Sequence, residues 1–83
     1  MTTQAIETRI LSVTNHKPTR IVAETASGIR LVMSKNSAED ATQDQHADMV
    51  HRVVAQRLAD QLNWTGKMVC GSTKRGYVFV FVA

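Results

Sequence analysis

Three histidines and one cysteine are the side chains best suited to metal binding or nucleophilic chemistry. His46 and His51 fall in one helical segment, five residues apart. That spacing turns them about 140° around a helix axis, onto different faces. Zinc-binding pairs on a helix use spacings of three or four. His46 and His51 are therefore read as solvated side chains. Cys70 is the single thiol, and no second cysteine supports a cluster. A cysteine nucleophile needs a base within hydrogen-bond reach, and nothing in the sequence sets His16 beside Cys70. The residue reads as a small buried apolar side chain. The run GSTKRG at 71–76 lacks the spacing of a phosphate loop, and no helix follows it. No serine sits in a strand–turn–helix context. Trp64 follows a helical segment and reads as a core plug, not a stacking platform. The expectation is a protein without catalytic machinery, metal or cofactor.

The elements that would position any functional surface come from hydrophobic periodicity. Residues 6–13 read as a strand, with Ile6, Thr8 and Ile10 on one face and Leu11 and Val13 on the other. Pro18 breaks the pattern. Residues 20–24 form a second strand, with Ile21 and Ala23 on one side, and TASG supplies a turn in which Gly28 takes positive φ. Residues 29–34 form a third, with Ile29, Leu31 and Met33 facing one way and Arg30, Val32 and Ser34 the other. The polar run KNSAEDAT at 35–42 reads as a connection. A helix then covers 43–63, with Thr42 and Gln45 as a capping box, though Ser37 offers an earlier start. Ala47, Val50, Val54, Leu58 and Leu62 make its stripe, widened by Val53, and Gly66 ends it. Strands at 67–72 and 77–82 complete the order β-β-β-α-β-β. The predicted fold is α+β: one mainly antiparallel five-stranded sheet with a single helix packed on one face.

The last strand, GYVFVFVA, is apolar on both faces, whereas a half-buried strand needs only alternate apolar residues. It should therefore be central, flanked by the 67–72 strand and the first strand. Tyr77, Phe79 and Phe81 should meet the helix. Val78, Val80 and Val82 would lie on the open face, with Val13, Val22 and Val32 as neighbours there.

The 83 residues fit one domain, with residues 1–5 expected to be flexible. A chain of this size buries roughly 60% of its unfolded surface, so its core is marginal. The unpaired cysteine suits a reducing compartment. The N-terminal residues lack a signal-peptide pattern, and no apolar run approaches the ~20 residues of a membrane span. A cytoplasmic protein with no membrane partner is expected. The net charge is +3, concentrated at the two ends of the chain, while 37–63 carries an acidic excess. Tracing strand directions brings Lys17, Arg20, Lys35, Lys74 and Arg75 to one end of the sheet. That basic end could hold an acidic protein surface or a phosphate backbone.

Two stretches also carry a resemblance. One is Thr14, Asn15, Lys17, Thr19, Arg20, Ile21 and Ala23. The other is Asn63, Trp64, Gly66, Met68, Val69 and Gly71, followed by Gly76 to Phe81. The chain resembles small uncharacterised proteins of bacteriophages, prophages and plasmids. Their pattern opens with TN-x-[KR]-G-[ST]-RI-x-A and ends with GW-x-G-x-LV-x-G and GYVFVF. It departs from them at Pro18, at Asn63 and in the 35–42 segment. The resemblance carries over no catalytic residues. It implies an accessory protein of a mobile element, many of which bind host machinery, including CRISPR and other defences. The leading expectation is accordingly a non-enzymatic binder of a host protein. It would act through the basic end or through the valine face, where a homodimer is the rival occupant. A small nucleic-acid-binding or regulatory module is the alternative.

Overall fold

The computed structural model describes residues 4–11, 19–43 and 46–82. The strands are β1 (Ala5–Leu11), β2 (Arg20–Thr25), β3 (Arg30–Ser34), β4 (Lys67–Ser72) and β5 (Gly76–Val82). They form one antiparallel sheet in the order β3-β2-β1-β5-β4. As the two-sided apolar pattern of β5 requires, this strand lies inside the sheet, between β1 and β4. Of the segment expected to be flexible, Gln4 and Ala5 are paired: Ala5 opposes Val80, and the Gln4 carbonyl accepts from Phe81 N–H at 2.9 Å. The turn between β2 and β3 carries Gly28 at φ 93°.

Two helices, not one, cover a single sheet face. The run KNSAEDAT, expected as a connection, is α1 (Lys35–Thr42). Its cap is Ser34, whose hydroxyl accepts from Ser37 N–H at 3.2 Å. Gln43 ends it in the left-handed conformation. Helix α2 (Ala47–Gln61) follows, with His46 at its N-cap. The expected capping box is therefore not used: Thr42 belongs to α1, and Gln45 lies outside the described residues. Helix α2 stops before Gly66. Asn63 takes φ 58°, and Trp64 N–H reaches back to the Ala59 carbonyl at 2.9 Å. This is the hydrogen-bonded end that a left-handed residue permits.

The core lies between the helices and one sheet face. Ile6, Ile21, Ala23, Phe79 and Phe81 from the strands meet Ala38 of α1 and Val50, Val54, Leu58 and Ala59 of α2. Trp64 packs edge-on against Phe81, with ring centroids 5.6 Å apart. The buried stripe of α2 is rotated from the expected one. Ala47 is exposed and Val53 half-buried, while His51 and Ala55 are buried.

Candidate functional site

The sheet face turned away from the helices is the surface with most to offer. Cross-strand register fixes what stands on it. One row runs Arg30, Glu24, Glu7, Val78, Gly71; the next runs Val32, Val22, Arg9, Gly76. A third places Ala5, Val80 and Val69 side by side, with Val82 opposite Lys67 beyond it.

The predicted valine face is therefore divided. Val78, Val80 and Val82 form an apolar strip on β5, and β4 extends it with Val69, which is 50% exposed. Val32, 46% exposed, lies on the far edge strand. Strand β1 runs between them and turns Glu7 and Arg9 onto this face. Val22 does stand on this face, but it is only 1% exposed, buried by the chain itself, so it offers no surface to a partner. Val13 lies outside the described residues. Val69 is not among the valines expected on this face. Its alternation with Met68 and Cys70, which pair with core-facing Phe81 and Phe79, carried the signal.

A charged ladder crosses the middle of the same face. Glu24 accepts from Arg30 Nε at 2.9 Å and from Arg9 at 3.3 Å. Hydrogen bonds, first from Arg30 and then from Arg9, hold the Glu24 carboxyl below its usual range. Exposed pairs of this kind add little stability, but they fix the arginine positions.

The basic end is as the strand directions require. Arg20 pairs with Ser34, so it and Lys35 lie at the end of β2 and β3. Lys74 and Arg75 form the exposed tip between β4 and β5, closed by Thr73 N–H donating to the Gly76 carbonyl at 2.8 Å. Lys17 lies outside the described residues. The four described cations share one end but do not touch. Two to three strand spacings, about 12 Å, separate Arg20 from the Lys74–Arg75 tip. That exceeds the roughly 8 Å screening length of physiological salt, so the end carries two basic patches. None of these four forms an ion pair among the described residues. The Arg20 Nε is buried without a hydrogen-bond partner among the described residues.

The chemistry-bearing side chains lie on the helix side. His51, expected in solvent, is 2% exposed, and its Nδ1 is 2.7 Å from the hydroxyl of buried Thr8. A hydroxyl donates and accepts, so it matches either neutral tautomer. The Tyr77 ring meets the imidazole edge-on, with centroids 4.8 Å apart. Burial, and secondarily the Lys35 charge, lower the His51 pKa from its ordinary 6.5. Folding therefore favours neutral His51, while the unfolded chain takes up a proton below about pH 6.5. Stability should fall as pH drops below that value, and the loss should be complete once the pH passes the lowered folded pKa. His51→Gln keeps a polar partner for Thr8 and should flatten this part of the profile. The check is the urea midpoint of both proteins between pH 7.5 and 5. Parallel curves would remove His51 as the cause.

Cys70 is half-buried on the core side, and burial raises its thiol pKa. That is the opposite of nucleophile activation. No group of three or more metal-binding side chains converges among the described residues. No helix among them is long and apolar enough to cross a membrane.

Compared with known proteins, the chain matches no family model, no curated protein and no solved structure.

Proposed function

We propose that this chain is a non-enzymatic binding protein of a mobile genetic element, acting in the cytoplasm by occupying a surface of a host protein. Inhibition of a host defence such as CRISPR is one form this would take. The observation that carries the reading is the sheet face turned away from the helices, with exposed Val69 and Val82 beside half-buried Val80 along one edge. Apolar side chains grouped on a surface supply the desolvation on which protein association depends. Arg9 on central β1 and Arg30 on edge strand β3, both positioned by Glu24, offer directional contacts on the same face. A second copy of the chain is the rival occupant of the strip. Light scattering that gives a 9.2 kDa particle at high concentration removes the homodimer and leaves the host protein.

The basic end favours a second reading, a small nucleic-acid-binding or regulatory module. Arg20, Lys35, Lys74 and Arg75 carry no ion pair among the described residues. The experiment that tests the proposal is capture from host lysate with and without nuclease. A protein retained after nuclease supports the first reading. Loss of all partners, with affinity for added DNA or RNA that falls steeply as salt rises, supports the second.

The two patches of the basic end can be tested separately. Lys74→Glu combined with Arg75→Glu changes an exposed turn, so stability should move by no more than about 0.5 kcal/mol. Binding should weaken at least about tenfold if this tip touches the partner. A variant that binds as tightly as the parent would dismiss the tip and leave the sheet face as the site.

A further inference from the structure

On the helix side of the molecule, α2 and the end of α1 line an open groove of about 320 Å³. Met49 and Val53 form its apolar floor on α2, and Ala41 closes it from the end of α1. Met49 is 36% exposed, high for a methionine at a helix–helix boundary. Along α2 the lining runs from Met49 to Asp60, about 16 Å at the helical rise.

Charge distinguishes this groove from an ordinary seam between helices. Arg52 and Arg57 both line it. The Arg52 guanidinium is placed over the Phe79 ring, 5.6 Å from its centroid. Arg57 is exposed and forms no ion pair among the described residues. The one carboxylate of the lining, Asp60, accepts a hydrogen bond from the Gln56 amide at 2.9 Å and neutralises neither arginine. The lining thus presents two cations, one acid and an apolar floor.

We propose that this groove is a docking site for an acidic peptide segment of a partner protein. An apolar side chain of the segment covers Met49 and Val53, and a neighbouring carboxylate engages Arg57. Guanidinium and carboxylate match as a two-pronged hydrogen-bonded pair. The volume suits one large apolar side chain with a carboxylate beside it, and the elongated outline suits a chain segment running along α2. The apolar floor of Met49 and Val53 finds no counterpart on a phosphate backbone, so the ligand is a protein segment and not a nucleic acid. The site is independent of the sheet-face reading, and either can fail alone.

A random dodecapeptide library displayed against the full chain provides the probe. Selected clones should share an apolar residue within three or four positions of an Asp or Glu. Their binding should fall at least about tenfold on Arg57→Glu, as removal of a charge-assisted hydrogen bond implies, and also on Met49→Asp. Ala26→Asp, in the exposed turn between β2 and β3, should leave it unchanged. All three positions are exposed, and circular dichroism checks that each variant folds. Clones that bind the Arg57 and Met49 variants as tightly as the parent overturn the proposal. So does a library that yields no clone above background.

Discussion

Leu58→Ala should lower the free energy of unfolding by about 2–5 kcal/mol, the range for removing a buried leucine side chain. Leu58 is 0% exposed and belongs to the same core as Phe79 and Phe81. The shortened side chain leaves a void in the core that its packed neighbours cannot readily close. Domains of this size hold a total stability of about 5–15 kcal/mol, so the variant should lose a large part of it and unfold at much lower urea. Equilibrium denaturation followed by circular dichroism measures this directly. A midpoint equal to the parent's would mean that α2 packs on the sheet through another face.

Gly76→Ala should be comparably damaging, through the backbone. A Cβ at this position would collide with the Thr8 carbonyl oxygen and lie 3.0 Å from the Arg9 Cα. Both obstacles are main chain in β1, directly across from Gly76, so no side-chain rotation relieves them. The start of β5 must move away from β1, disturbing pairs close to the Thr8–His51 contact. Overpacking of this kind costs about 1–3 kcal/mol, and more where backbone cannot shift. Hydrogen exchange should show the amides of Thr8 and Tyr77 losing protection before those of β2 and β3. Unchanged protection at these two residues would show that the strands accommodate the methyl group.

Much of this fold was legible because β5 and β4 obey simple rules. Tyr77, Phe79 and Phe81 do face the helices, and the 67–72 strand falls where its pattern placed it. Helix α1 was hidden because it buries one residue, Ala38, and otherwise displays polar side chains and a second alanine, Ala41. A pattern of period 3.6 cannot emerge from a single buried alanine. His51 was misjudged because it stands one position off the aliphatic stripe. Ala55 and Ala59 follow it at steps of four, and these small residues let α2 approach the sheet until the imidazole reaches Thr8. The site was less legible than the fold. Alternation correctly set Val22, Val32, Val78, Val80 and Val82 on one face. Whether they formed one patch depended on which strands lay between them, and local sequence does not encode strand order. The cations at the basic end were brought to one end by strand direction alone, yet their spacing across the sheet was likewise set by that order.

The place of β5 in the sheet also bears on how the chain is made. Ile6 pairs with Phe79, so β1 must wait for a partner encoded by the far end of the described chain. At about 5–20 residues per second of synthesis, some 65 residues separate them by roughly 3–13 s. During that interval β1 can pair with β2 on one side while its other edge stays open, and β4 has no neighbour at all. A ribosome-bound intermediate of this kind exposes Ile6 and an unpaired strand edge, the features that recruit chaperones or neighbouring nascent chains. Fragments cut short before residue 76 would stay in that condition permanently. Such fragments should therefore be degraded or collect in aggregates.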